Sequence, residues 1–276
     1  MSKSWNIPVL TYHGLHAPGW NYDENDHIAL EHDLKMLESM AFKVIPLEVL
    51  VDHLTRGGLP HGLQPRVVAI TFDDGTDLDY EDFFHPDYGY LKSLRNILKA
   101  FSGLGLDGGP PRATSFVIAS PAAREELDRT CIAGRGQWND LWWRDAAQEG
   151  VMTIANHSWD HTHPSLKKLV INSAHKGRFD TITDFASADA EILTAAKYIR
   201  ELTAGLSQPY FAYPYGHFNE FLVNEYLPAR RDWIEAAFTT EGRPVNPSDS
   251  RWQIPRFVCG DHWKSPEGLE EILRGQ

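Results

Sequence analysis

Short apolar runs closed by turn residues alternate along this chain with stretches whose apolar residues recur at helical spacing. Residues 7–12, 42–47, 67–72, 113–119, 151–155 and 210–213 read as buried strands. Helical spacing marks 28–40, with Leu30, Leu34 and Leu37 on one stripe, and 187–203, with Ile192, Ala195, Ala196 and Ile199 inward. Further helices are predicted at 47–55, closed by Arg56-Gly57-Gly58, at 90–101, at 138–148, stopped by Gly150, and at 232–237. Short strands are expected at 237–240 and 253–258. Apolar strands joined by helices imply parallel pairing with crossovers. About eight strands in such a chain point to a closed or nearly closed barrel, with a doubly wound open sheet as the alternative. No repeat, low-complexity tract or linker divides residues 1–276, so one domain is expected. The stretches 76–89 and 120–137 read as excursions on top of the scaffold.

A chain of 276 residues is ample for a full core. Its net charge of −12 disfavours nucleic acid and anionic membrane surfaces as partners. The first residues lack the apolar run of a signal segment, and no window approaches a membrane-spanning length. A cytoplasmic address follows for the sequence as it stands, or a periplasmic or secreted one if a leader has been removed. The two cysteines, Cys131 and Cys259, are too few for a disulfide framework and are expected to be free thiols.

Chemistry concentrates at two strand ends. Thr71-Phe72-Asp73-Asp74-Gly75 closes one strand with adjacent carboxylates, and Gly75 allows the turn that would bring both into one site. The same tripeptide also makes an ordinary turn. His157-Ser158-Trp159-Asp160-His161 follows a later strand. One helical turn there would face both imidazoles the same way, a pairing that suits zinc and related ions. His163 competes by proximity, and Asn156 and Asp160 are candidate partners for the ligands.

These two motifs, with Tyr210-Phe211-Ala212-Tyr213-Pro214-Tyr215-Gly216, resemble those of the polysaccharide deacetylases, the NodB-homology group or carbohydrate esterase family 4. The resemblance runs from Ile7 to about Phe257. It implies a distorted α/β barrel, (β/α) in type, of seven or eight mostly parallel strands. It also implies a divalent metal, zinc first among zinc, iron, nickel, cobalt and manganese, and the removal of acetyl from N-acetylated sugars or polysaccharide. By position, Asp73 would be the general base, and Asp74, His157 and His161 the metal ligands. Tyr215 would offer its backbone N–H to a developing oxyanion, and Tyr213, Pro214, Tyr215 and Trp159 would wall the substrate groove.

Two departures from the family pattern stand out. Ala212 occupies the place of an arginine that steadies the catalytic aspartate, and Arg256 is the candidate replacement. No apolar-x-apolar-His motif follows Gly216, but Leu10-Thr11-Tyr12-His13 has that form on the first strand. A strand can move from last to first in a barrel without changing neighbours. The chain therefore reads as a permuted member with His13 as the acid; His13 as a mere strand cap and His262 as the acid are the alternatives.

Trp138, Leu141 and Trp142 share a helical stripe and read as packing. Asp77, Asp79, Glu81 and Asp82 read as a solvated loop or first helical turn. Two other functions compete: a metal amidohydrolase acting on a small nitrogen compound, and a non-catalytic carbohydrate-binding protein.

Overall fold

The computed structural model describes residues 5–56, 66–85, 87 and 89–275. Ten strands occur among them: β1 Val9–His13, β2 Lys43–Val44, β3 Val67–Asp73, β4 Phe83–His85, β5 Gly89–Leu91, β6 Ala113–Val117, β7 Met152–Asn156, β8 Tyr210–Ala212, β9 Ala236–Phe238 and β10 Phe257–Val258. Seven form one parallel, curled sheet in the order β10-β1-β3-β6-β7-β8-β9, and β2 adds to β3 beside them. Phe238 of β9 bridges Ile254, just ahead of β10, so the sheet curls almost onto itself. This is the barrel expected from the sequence, not the doubly wound sheet.

Alternation along the strands divides the core. Val9, Val67, Ala69, Phe116, Ala155, Ala212 and Phe238 fill the inside of the curl. Leu10, Val68, Ile70 and Phe72 face outward onto the helix Asp26–Ser39 and its neighbours. That helix starts where Asn25 accepts from the N–H groups of His27 and Ile28, satisfying donors the helix leaves open.

Several predicted boundaries move. The strand at 42–47 shrinks to two residues. The helix predicted at 90–101 begins only at Leu94, capped by Ser93, because Gly89–Leu91 pairs antiparallel with Phe83–His85. The helix predicted at 138–148 starts at Trp143; Leu141 is therefore exposed and off any packed stripe. No helix lies at 232–237, where the chain turns into β9. The helices Pro121–Cys131 and Pro266–Arg274, each opened by a serine cap and a proline, were not read from the sequence. The glycines expected to close the second helix, Gly57 and Gly58, lie outside the described residues. No helix among the described residues is long and apolar enough to cross a membrane.

Candidate metal centre

Asp73 is the last residue of β3, and Asp74 follows with φ +75°. That left-handed step turns the chain, so consecutive carboxylates reach one site despite strand alternation. Gly75 continues the turn at φ +72° beneath Val117. The turn is held by the Asp74 carbonyl, which accepts from the Ile118 N–H at 3.2 Å and from the Trp138 indole N–H at 3.2 Å.

His157 follows β7, two strands along the sheet. The segment after it is not the helical turn expected from the spacing. Ser158, His161 and Thr162 all take positive φ, at 72°, 63° and 44°. The coil is held by its own polar groups: the His161 N–H donates to Ser158 Oγ at 2.8 Å, and the Ser158 N–H to Asn156 Oδ1 at 2.8 Å. The result still places both imidazoles on Asp74. His157 Nε2 and His161 Nε2 lie 3.2 Å apart, and 3.8 and 3.9 Å from Asp74 Oδ1.

These three donors form a group among the described residues that could hold a metal ion. An ion bound tetrahedrally at zinc distances sets its ligand atoms roughly 3.3 Å apart, close to the spacing here. The donor chemistry also fits. His157 Nδ1 lies 2.9 Å from the Ala212 carbonyl, which fixes Nδ1 as the N–H and leaves Nε2 a free lone pair. His161 is buried, and burial together with His157 drives its pKa well below the ordinary value, so its ring is neutral and suited to serve as a donor. His163 stands apart, with ring centroids 5.9 Å from His161, and its Nδ1 accepts from the Ser165 N–H.

Asp73 has a different environment. Arg256, fully buried, grips it through two parallel bonds, Nη1–Oδ1 at 2.7 Å and Nη2–Oδ2 at 2.8 Å. The same guanidinium donates to Thr71 Oγ1 and the Thr239 carbonyl and lies over the Phe116 ring. Burial pushes the Asp73 pKa up, but Arg256, with His157 and His13, outweighs it and holds the group at about 2. Asp73 is thus an ionised carboxylate, 3.8 Å from His157 Nε2. Arg256 comes from the segment just before β10, two strands from β3 in the sheet, and supplies a guanidinium where Ala212 has none.

His13 ends β1 directly opposite Asp73 in the sheet register. It lines, with Asp74, a cleft of about 890 Å³ that also reaches His16, Cys131 and Cys259. Asp26 accepts the His13 N–H at 2.7 Å and bonds His16 Nδ1 at 2.7 Å. His262 is exposed and its Nδ1 accepts from the Val258 N–H. The cysteines are free, Cys131 exposed and Cys259 buried.

The groove-wall residues divide. Tyr215, at φ +59°, leans edge-on against His161 with ring centroids 4.5 Å apart and is 38 % exposed. Tyr213 lies instead in the core, its hydroxyl donating to the Trp252 carbonyl, and Pro214 is buried. Trp159 packs on Tyr198 and does not line the cleft. The acidic cluster opens a short helical turn over Asp77–Asp79, the second of the two expectations, but it is not solvated. Asp77 is buried and accepts from the Asn139 N–H and the Trp142 indole, and Asp79 is fully buried against Ser115. Only Glu81 and Asp82 are exposed. Thr71, Trp138 and Asp26 also touch the site: Thr71 opens the aspartate motif, Trp138 reads from its spacing as packing, and nothing in the sequence distinguishes Asp26.

The chain belongs to the polysaccharide deacetylase family, whose sequence profile matches residues 61–228. No curated protein sequence matches it. Solved structures with the same fold include IcaB from Ammonifex degensii, 19% identical, with a TM-score of 0.66 over 98% of this chain and 96% of that one. A polysaccharide deacetylase from Bacillus cereus is 15% identical, with a TM-score of 0.63 over 98% of this chain and 69% of that one. The deacetylase domain of BpsB from Bordetella bronchiseptica is 16% identical, with a TM-score of 0.59 over 93% and 96%. Family membership implies a carbohydrate deacetylase.

Proposed function

We propose that this protein removes acetyl groups from N-acetylated sugar units of a polysaccharide by metal-dependent hydrolysis of the amide C–N bond. The observation that carries the reading is the convergence of Asp74, His157 and His161 beside a second carboxylate, Asp73, locked in its ionised form by Arg256. A divalent ion, zinc first, held by those three ligands would polarise the acetyl carbonyl and a water molecule at neutral pH. Asp73 takes the proton of the attacking water, a step its ionised state at neutral pH permits. His13, across the sheet register from Asp73, gives a proton to the departing amine. The Tyr215 N–H faces the charge that develops on the acetyl oxygen, an interaction worth roughly 10²–10³ in rate in other hydrolases.

The test is acetate release from N-acetylglucosamine oligomers by the zinc-loaded protein, with bound metal quantified in parallel. Wild type should release acetate. Asp73→Asn should keep stoichiometric zinc and lose about 10²–10⁴ in turnover, whereas His157→Ala should lose both. Full activity in Asp73→Asn would remove the base assignment. Stoichiometric zinc without acetate would move the reading to a small amide substrate or to a binding protein.

A further inference from the structure

The helix that crosses behind the metal-binding coil is not regular. It runs as α-helix over Phe185–Ala188, as π-helix over Asp189–Leu193, and as α-helix again over Thr194–Leu202. An extra residue in the π turn is costly and tends to persist where it serves a site. Removing it would rotate the upstream part by about 100° relative to the apolar stripe that continues through Ala195 and Ile199. With it in place, two consecutive residues, Glu191 and Ile192, are both fully buried.

Both of them grip the coil that carries the two histidines. The Asn156 side-chain amide donates to the Ile192 carbonyl at 2.9 Å, just before His157. The Asp160 N–H donates to Glu191 Oε2 at 3.3 Å, just before His161. Between these anchors lie Ser158 at φ +72° and, at the far end, His161 and Thr162, none of them glycine. A left-handed non-glycine residue is strained and needs surroundings that enforce it. Glu191 is an expensive way to enforce it: its fully buried carboxyl lies against the Asp160 carboxyl as well as the Asp160 N–H. Two acids set together away from water weaken the fold, so the presence of Glu191 calls for a reason other than stability.

We propose that Glu191 is a positioning residue for the metal centre: by accepting the Asp160 N–H it holds His161 in the left-handed conformation that brings its Nε2 beside that of His157. This rests on the metal-dependent reading given above. The π turn supplies the reach, since it brings Glu191 and Ile192 together to the inner face of the helix. The function served is ligand geometry, and it is separable from fold stability.

The experiment is zinc titration of the metal-stripped full chain against a competing chelator, with the Tm of each metal-free form. Glu191→Leu should weaken zinc roughly 10–100-fold, the range for loss of a group that orients a ligand, with a metal-free Tm no lower than wild type. Glu191→Gln, which keeps an acceptor oxygen, should retain wild-type affinity. Unchanged zinc affinity in Glu191→Leu overturns the proposal. So does a loss in Glu191→Gln equal to that in Glu191→Leu, or a fall in zinc affinity matched by a fall in metal-free Tm. Should E191L not fold, Glu191→Asp decides: its carboxylate retracts by one methylene from the Asp160 N–H, and undiminished zinc affinity would overturn the assignment. A wild-type chain that takes up no zinc refutes the metal-dependent reading itself, an outcome distinct from any of these.

Discussion

Replacing Arg256 by methionine tests the electrostatic frame of the site most directly. The substitution keeps an unbranched stem and removes the guanidinium. Two short bonds to Asp73 vanish, together with those to Thr71 and the Thr239 carbonyl. Asp73 would then be a buried carboxylate with no cationic partner of full charge. Breaking a buried pair from one side typically costs about 3–5 kcal/mol, equivalent to a Tm fall of roughly 6–20 °C in a domain of this size. An independent bound comes from titration. The Asp73 pKa is lowered from 3.8 to about 2, so the ionised group contributes about 2 kcal/mol to metal-free stability above pH 4. The sign is that of a depressed acid: the contribution is present above the unfolded pKa and lost as pH falls through about 2. In Arg256→Met, burial is left unopposed by the guanidinium, and the Asp73 pKa rises. The acid limb of the kcat/KM profile should move to higher pH. Urea unfolding of wild type, Arg256→Met, Asp73→Asn and the double variant closes a cycle. The double variant should be more stable than Arg256→Met, because it no longer buries an unpaired charge. Stability of Arg256→Met within 1 kcal/mol of wild type, or a cycle with no coupling, would refute the argument.

Gly75→Ala should lower stability by about 1–3 kcal/mol and weaken zinc, since its φ of +72° disfavours any side chain and an added Cβ would lie 2.9 Å from Val117 Cα; calorimetry and zinc titration of the variant check both. Asp33 predicts a pH effect of opposite sign to Asp73. It is fully buried, and burial raises its pKa to about 7 against the bonds from Tyr22, Tyr12 and Trp263. A raised acid stabilises the fold below its unfolded pKa and loses that contribution as pH rises towards 7. The urea midpoint of wild type should therefore fall between pH 5 and 8 by more than that of Asp33→Asn, and equal slopes would count against it.

Much of the site could be read because its residues are local in sequence. A carboxylate pair must sit where a strand ends, and Gly75 marks that end. Two histidines four apart just after a strand are close enough in the chain to reach one site. The turn itself was not legible: the spacing suggested a helical turn, but polar side chains stabilise a left-handed coil that no propensity favours. A charged residue four before Ala195, on the apolar stripe of its helix, was the one sequence sign that Glu191 is buried. The π turn that completes its reach carries no signature in sequence.

By itself the sequence determined the alternation of strands and helices, the strand ends where Asp73, Asp74, His157 and His161 lie, and the family. Periodicity and turn chemistry act over a few residues, so they survive without a fold. Only the tertiary structure decided that Arg256, 183 residues from Asp73, closes on it through the curl of the sheet. It also decided that Ala212 contributes a carbonyl to His157, that Tyr213 turns into the core, and that Asp77 and Asp79 are buried. Each of these depends on which distant surface covers the residue, and burial and charge pairing are set by that surface, not by neighbours along the chain.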